Sequence, residues 1–246
     1  MKTNPLTVLT AALIAVSPPM ATHSFAQSTN PSIPVGSLSA NPLVVQAGTK
    51  PLLNWAITYP SVVEDYVTVG GSSVTPKQNL IADIRILGAG VTTITRYSTG
   101  KTTIVYERTA GKMRYNGSST WTTIFDGRQT DKIVQQQSII KTINVTKGQT
   151  ISFGGQYCIN GKWSTFFSSG SMNVRTLVNG SAPPANLPVY YALTLEDFIK
   201  PYLDATGKVK IGPMDVIVFM ELTSTDPSYF GYDIQDLVFL VTFRTS

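Results

Sequence analysis

The sequence predicts an all-β fold, an antiparallel β-sandwich, from three observations. Two apolar runs near the C-terminus, 215–222 and 237–243, are short, continuous and rich in β-branched and aromatic residues, as strands buried on both faces are. Glycine-containing turn signals recur along the chain with β-rich segments between them. The composition is poor in charge and rich in strand-forming residues. We therefore expect the two terminal runs to form a central pair of strands on which the others pack.

The N-terminus has the organisation of a secretory signal peptide over residues 1–26. Lys2 supplies the charged start, 6–16 the apolar core, and Ser24-Phe25-Ala26 the small residues that signal peptidases read. We expect cleavage near Ala26 and a secreted or cell-surface protein, with the periplasm as the alternative compartment. The apolar core is shorter than the about 20 residues that a membrane-spanning helix needs, so we expect no membrane span in the mature chain.

Residues 27–37 are predicted to be a flexible leader. Between residues 38 and 58, an Asn-Pro turn, an apolar pair, Ala-Gly and a Leu-x-Trp strand follow in that order. This order resembles the opening two strands of bacterial immunoglobulin-like secreted modules. The resemblance implies a β-sandwich in an extracellular setting and implies no activity. The Cys-Trp-Cys spacing of antibody domains is absent.

A β-sandwich body, immunoglobulin-like or jelly-roll-like, is predicted over residues 38–180. Turns are expected at glycine-containing signals that include Gly88-Ala89-Gly90, Ala110-Gly111, Asn116-Gly117, Asp126-Gly127 and Asn160-Gly161. The strands between such signals are predicted at 81–87, 102–108, 120–125, 139–145 and 172–178.

The C-terminal part is predicted to complete the same core. Residues 181–188 (SAPPANLP) have the composition of a linker, and 189–246 contain one short helix and the terminal hairpin. The helix is expected near 195–203, with Thr194 as its N-cap and Pro201 limiting its length. Its apolar face is Leu195, Phe198, Ile199 and Leu203.

Charge is distributed unevenly about this linker. Residues 27–188 carry 14 basic and 6 acidic side chains, a net charge of +8, whereas 189–246 carry 4 and 8, a net charge of −4. Two interpretations stay open. One part docks on the other inside a single domain, or complementary surfaces attract neighbouring copies of the chain.

Several catalytic chemistries are excluded by composition. The only histidine, His23, lies in the predicted signal peptide, so the mature chain has no Ser-His-Asp or Cys-His set and no histidine-ligated metal. The only cysteine, Cys158, forms no internal disulfide, and it is either a buried thiol or an intermolecular bridge. Neither dinucleotide nor phosphate-loop motifs occur. We expect no catalytic residues and no resident cofactor, with calcium as the one exception considered.

Carboxylates around the last loop are the remaining catalytic option. Glu221, Asp226, Asp233 and Asp236 offer pairs for a carboxylate-dependent glycoside hydrolase. Asp226, Asp233 and Asp236 also offer oxygen ligands for Ca²⁺, although their spacing matches no standard calcium loop. The alternative is that these acids set turns and strand starts.

Aromatic residues cluster around the Asn116 and Asn160 turns. Those proposed to stack on sugar rings are Tyr115, Trp121, Tyr157 and Trp163, with Phe166 and Phe167 nearby. Burial of each tryptophan in the core is the alternative. Six arginines between 85 and 175 are spread over the predicted strands, so nucleic acid is not an expected partner, whereas weak attraction to anionic polysaccharide is compatible with them.

The sequence thus favours a non-catalytic function. We expect an exported cell-surface or extracellular structural or interaction protein whose partners are other copies of itself or surface proteins. A carbohydrate-binding β-sandwich module is the second hypothesis, with polysaccharide as its ligand. A carboxylate-dependent glycoside hydrolase is the third.

Overall fold

The structure is a computed structural model. It describes residues 62–116, 118–188, 194–229 and 231–245, together with the backbone of 35–38 and 55–58. The helices are α1 (Val63–Tyr66), α2 (Lys132–Gln135) and a 3-10 helix (Lys200–Tyr202). The strands are β1 (Val35–Leu38), β2 (Trp55–Thr58), β3 (Val67–Val69), β4 (Ser73–Pro76), β5 (Leu80–Ala89), β6 (Thr92–Arg96), β7 (Thr102–Tyr106), β8 (Arg108–Tyr115), β9 (Thr122–Gly127), β10 (Ile139–Val145), β11 (Ile151–Ile159), β12 (Lys162–Trp163), β13 (Phe167–Ser168), β14 (Val174–Val178), β15 (Asp215–Met220) and β16 (Leu237–Arg244).

Two antiparallel sheets form the body of the protein. The five-stranded sheet has the order β10-β5-β16-β15-β14, and the seven-stranded sheet has the order β3-β4-β11-β8-β9 with β12 and β13 also paired to β11. Side chains from both sheets share one apolar core, in which the rings of Phe153 and Phe239 lie 6.4 Å apart. The predicted all-β antiparallel sandwich is confirmed.

The terminal strands form the predicted central pair. β15 and β16 are neighbours near the middle of the five-stranded sheet, and all six residues of β15 are buried. Alternate side chains point to opposite faces of a strand, so each strand contributes to two cores. Val218 and Val241 face the seven-stranded sheet, whereas Phe219 and Leu240 pack in a second apolar cluster with Ile199.

The second cluster lies under the segment that was predicted to be helical. Of the predicted apolar face, Leu195, Ile199 and Leu203 are buried in this cluster and Phe198 is half-buried against it. Regular helix in this segment is limited to the single 3-10 turn at Lys200–Tyr202, because Pro201 stands at its start. The apolar spacing therefore marks the covered face even though the segment is mostly irregular.

At three of the predicted turns the glycines lie within strands, so these predictions are wrong. Gly88 and Ala89 end β5, Ala110-Gly111 is in β8, and Asp126-Gly127 ends β9. A Cβ on Gly111 would lie 2.3 Å from Cζ of Phe239, so this glycine allows the two sheets to approach closely. At Asn160-Gly161, by contrast, both residues have positive φ, 50° and 78°, and a tight hairpin joins β11 to β12 as predicted.

Several sequence predictions lie outside the described residues. These are the signal peptide at 1–26, most of the leader at 27–37, and residues 39–54 of the immunoglobulin-like resemblance. The predicted domain boundaries stay predictions. Strands on either side of the predicted linker at 181–188 pair directly, since β14 is hydrogen-bonded to β15. In the described part of the chain, no helix has the length and apolar character needed to cross a lipid bilayer.

The close approach at Gly111 yields a stability prediction. We expect Gly111→Ala to lower the free energy of unfolding by about 1–3 kcal/mol, because the new methyl group must displace fully buried side chains. Urea unfolding followed by fluorescence measures this. Gly71→Ala is the matched control: nothing lies within 4 Å of the position that its new methyl group would take, so a change within about 0.5 kcal/mol is expected. Equal effects of the two substitutions would contradict the packing argument.

Candidate functional site

The outer face of the seven-stranded sheet carries a row of cationic side chains from one strand. In β8, Met113 points into the core, and the Cβ position of Gly111 faces it too. The strand period of two therefore places Arg108, Lys112 and Arg114 on the opposite, outer face. With a rise of about 3.4 Å per residue, Arg108 and Lys112 lie about 14 Å apart along the strand, and Lys112 and Arg114 about 7 Å apart.

Each of these cations lies over an aromatic ring. The guanidinium carbon of Arg108 is 5.2 Å from the centroid of the Trp163 ring. Nζ of Lys112 is 5.4 Å from the centroid of Phe166, and the guanidinium carbon of Arg114 is 4.7 Å from that of Trp121. We call this set of six residues the cation–aromatic strip. All three distances fall within the range of cation–π attraction.

Local structure explains how the rings reach this face. Trp163 follows the Asn160-Gly161 turn, in β12, and is 41% exposed. Phe166 lies over Gly154 of β11, where a Cβ would be 2.6 Å from the ring, so glycine at this position makes room for it. Trp121 contacts Phe166 edge-on, with ring centroids 4.9 Å apart. The rings and cations therefore pack against one another on the outer face of the sheet.

The strip has an uneven electrostatic character. Arg108 donates two hydrogen bonds to Asp126, at 2.6 and 2.7 Å, and these bonds raise the pKa of the guanidinium. The side chains of Lys112 and Arg114 have no hydrogen bond or ion pair with any residue that the structure describes. The end of the strip at these two residues therefore carries uncompensated positive charge and free N–H donors.

The four aromatic residues predicted to bind ligand are divided by the sheet. Trp121 and Trp163 lie on the outer face, as the carbohydrate hypothesis requires. Tyr115 and Tyr157 are half-buried and pack against the core between the sheets, and burial raises the pKa of Tyr115. The structure thus brings only the two tryptophans to the outer face, together with Phe166.

The cationic members of the strip were missed by sequence reasoning. The signal was the alternation of Arg108, Lys112 and Arg114 at even positions, but Ala110-Gly111 was interpreted as a turn that interrupts it. Arginines were therefore counted as scattered over several strands. Cys158, which pairs with Trp163 across β11 and β12, is a buried free thiol.

A second group of functional side chains is acidic and lies at the end of the central strand pair. Glu221 directly follows β15, and Asp236 directly precedes β16. These two and Asp233 each place a carboxylate oxygen within 4.8 Å of the others. Glu221 is fully buried and Asp236 is 7% exposed. The three residues form what we call the acidic cluster.

Protein donors surround Glu221 in this cluster. One carboxylate oxygen accepts from the backbone N–H groups of Thr223 and Ser224, at 2.8 and 3.0 Å, and from the hydroxyl of Thr223 at 2.5 Å. The other accepts from the N–H groups of Asp233 and Ile234 at 3.1 and 3.3 Å. Five donors suit a charged carboxylate, and through them Glu221 joins the two ends of the 222–236 loop.

The pKa values of the remaining acids depend on burial and on the charges of their neighbours. Burial and then the nearby Glu221 raise the pKa of Asp236 well above its ordinary value, and Asp236 also accepts from the Leu222 N–H at 2.7 Å. Burial raises the pKa of Asp233, and the nearby Glu221 adds a smaller increase. Burial and the charge of Asp233 raise that of Glu196. A protonated Asp236 can donate to Glu221, which relieves repulsion between two buried acids.

The backbone beside the cluster is strained. Ile234 has a φ of +47°, a left-handed conformation that is costly for a β-branched residue. Its side chain is buried in the second apolar cluster, and its N–H is held by Glu221. Packing and hydrogen bonding thus hold the loop in a conformation that the isolated chain would avoid.

The two predicted sets of acids are brought together to different extents. Of the four candidate hydrolase carboxylates, Glu221, Asp233 and Asp236 converge and Asp226 does not, so the predicted calcium set loses one of its three members. Asp226 lies on an exposed turn, where its carboxylate accepts from the N–H and hydroxyl of Ser228 at 2.9 and 2.7 Å. Because Glu221 is fully buried, a sugar ring cannot reach it together with its neighbours. A calcium role for Asp226, Asp233 and Asp236 stays a prediction.

Comparison with known proteins adds no assignment. Protein-family models, curated proteins and solved structures all give no match to this chain. The function must therefore be argued from the residues and their geometry.

The acidic cluster yields a prediction about pH. Because the folded-state pKa of Asp236 is raised, its contribution to stability is complete below the carboxyl pKa of the unfolded chain, about 4, and is lost as the pH rises through the folded-state pKa. Asparagine keeps an acceptor for the Leu222 N–H and a donor for Glu221. We expect the free energy of unfolding of Asp236→Asn to fall less steeply with pH above pH 4 than that of the parent. Urea titrations at several pH values measure this.

Asp226→Asn is the control for this prediction. Hydrogen bonds from Ser228 lower the pKa of Asp226, so this residue changes the stability only at pH values below the ordinary carboxyl pKa. Above pH 4, the free energy of unfolding of Asp226→Asn should therefore depend on pH as steeply as that of the parent. An unchanged slope in Asp236→Asn would show that this carboxyl group does not take up a proton on folding.

Proposed function

We propose that the protein is a non-catalytic, exported interaction protein that binds acidic polysaccharide through the cation–aromatic strip. The observation that carries the proposal is the alignment of three cations over three aromatic rings along one exposed face. Export is inferred from the predicted signal peptide at 1–26. In that compartment, uronate-rich or sulfated polysaccharides are ligands of matching charge.

The geometry suits an anionic sugar chain better than a neutral one. Arg114 covers a face of Trp121, so a neutral sugar would have to displace it to stack on that face. A carboxylate or sulfate group can instead bind the N–H edge of the stacked guanidinium without breaking the stack. The exposed ring of Trp163 and the partly exposed ring of Phe166 then offer apolar contact to neighbouring sugar rings.

Several spaced cations also favour a polymer over a small molecule. Each exposed charge pair contributes little by itself, about 1 kcal/mol or less. A repeating acidic polymer engages Arg108, Lys112 and Arg114 together, and linked contacts raise the apparent affinity. The acidic cluster supports the non-catalytic part of the proposal, since its burial removes Glu221 from contact with substrate.

Binding to polygalacturonate tests the proposal. We expect the purified chain to bind this polymer and not neutral dextran, with an affinity that falls as salt is added. Arg114→Ala combined with Lys112→Ala should weaken binding about tenfold or more, because it removes the uncompensated end of the strip. Isothermal titration calorimetry or affinity electrophoresis measures both effects.

The matched control is Lys141→Ala combined with Lys132→Ala, which removes two exposed cations that lie outside the strip, in β10 and α2. It should leave polygalacturonate binding within about twofold of the parent. Equal losses of affinity in both variants would show that binding depends on net charge alone, which would contradict a specific role for the strip. Cations beside aromatic rings also suit single-stranded nucleic acid, and tighter binding of an oligonucleotide than of polygalacturonate would overturn the choice of ligand.

A further inference from the structure

The two ends of the cation–aromatic strip differ in how their arginines are paired. At one end, the guanidinium of Arg108 lies over Trp163, and its edge holds the carboxylate of Asp126. At the other end, the guanidinium of Arg114 lies over Trp121, and its edge has no hydrogen bond or ion pair with any described residue. The strip therefore contains one filled and one open copy of the same arrangement.

The filled end shows how this arrangement holds a carboxylate. Nε of Arg108 donates to one carboxylate oxygen of Asp126 at 2.6 Å, and Nη2 donates to the other oxygen at 2.7 Å. Two parallel N–H···O bonds match the planar fork of a guanidinium to the two oxygens of a carboxylate. The same guanidinium keeps its cation–π contact with Trp163, so ring contact and bidentate pairing are compatible on one arginine.

The open end lacks a neighbouring acid that could fill it in the same way. Asp126 lies in β9, the strand that pairs with β8 along the strip. The part of the chain that precedes it and surrounds Trp121, residues 118–123 (SSTWTT), contains no acidic residue. The fork of Arg114 is therefore available to a carboxylate from a ligand.

The filled pair is exposed, but its two partners are held close together. The side chains of Arg108 and Asp126 are 49% and 35% exposed, and an exposed ion pair of this kind contributes little to stability. Because Asp126 belongs to the same chain, its effective concentration at Arg108 is high, and a ligand carboxylate must compete with it. Nη1 of Arg108 has no hydrogen bond to the described residues, so this atom can still contact a polymer.

Building on the proposed binding of acidic polysaccharide, we propose that the strip recognises uronate carboxylates, that Arg114 binds one of them as Arg108 binds Asp126, and that Asp126 is a built-in competitor. The ligand class is thereby narrowed from acidic polysaccharide to a uronate polymer. A carboxylate places its two oxygens in the plane of the fork, as Asp126 does. A sulfate ester carries three oxygens around its sulfur atom and has no such plane.

Lys112 suits the same ligand in a different way. Its Nζ lies over Phe166, and Lys112 is about 7 Å from Arg114 along the strand. A lysine offers a point charge rather than a fork, so it attracts a second carboxylate without fixing the orientation of that group. A uronate polymer carries carboxylates on its repeating sugars and can contact both cations. Selection by shape therefore depends on Arg114, and Lys112 adds charge.

Binding of polygalacturonate and of dextran sulfate, compared at equal charge concentration, tests the ligand class. Arg114→Lys keeps the charge and removes the fork. We expect it to lower the affinity for polygalacturonate about fivefold or more, and that for dextran sulfate less than about twofold. Arg96→Lys, at an exposed arginine of β6, is the matched control and should change either affinity less than about twofold.

The outcomes separate this inference from the proposed function. Equal losses for the two polymers in Arg114→Lys, or a larger loss for dextran sulfate, would overturn the uronate class and leave binding of acidic polysaccharide standing. A parent chain that binds neither polymer would instead contradict the proposed function itself.

Asp126→Asn tests the competitor role. It opens the fork of Arg108 and should raise the affinity for polygalacturonate about threefold or more. Asp65→Asn removes an exposed acid from α1, so it matches the change in net charge, and it should raise the affinity less than about 1.5-fold. Combining Asp126→Asn with Arg108→Lys should abolish the gain. Circular dichroism confirms that each variant is folded, and equal effects of Asp126→Asn and Asp65→Asn would contradict the competitor role.

Discussion

Burial of the β15–β16 pair on both faces is the constraint on which the rest of the structure depends. One face is covered by the seven-stranded sheet, and the other by the irregular segment that includes Leu195 and Ile199. Apart from Asp215 at the start of β15 and Arg244 at the end of β16, the pair carries no charged side chain, so neither face suits solvent and both require a cover. The sandwich is therefore completed by a layer that is not a sheet, and the apolar residues in that segment are placed for packing rather than for helix formation.

The acidic cluster follows from the same constraint. The loop that leaves β15 and returns to β16 begins at the buried Leu222 and returns through the buried Ile234, so backbone N–H groups near both of its ends need partners within the protein. Glu221 supplies acceptors for four of them and for one hydroxyl group. A buried charge is costly unless its hydrogen bonds are complete, and here they are made largely by the loop itself. The cluster thus organises the loop in the way that a capping residue organises a helix end.

Sequence reasoning reached the local parts of this architecture and missed the parts that depend on distant contacts. The run 139–145 and the two terminal strands were recognised because their apolar, β-branched residues act locally. β11, the central strand of the seven-stranded sheet, is absent from the predicted strands, and Gly154-Gly155 interrupts its apolar residues. Gly154 makes room for the Phe166 ring twelve residues later, and Gly155 lies against Leu222, which is far away in sequence. The contact with Leu222 leaves no trace in the local pattern.

The candidate site was predicted to a similar extent. Trp121 and Trp163 were identified from composition, since large aromatic rings near tight turns are often functional. Their partners were not identified, because the alternation of Arg108, Lys112 and Arg114 is meaningful only if β8 continues through Gly111. In the acidic cluster, Glu221, Asp233 and Asp236 were predicted as candidate carboxylates, and Asp226 was grouped with them by proximity in sequence. Asp226 lies apart because the two ends of the loop meet in space while its tip does not.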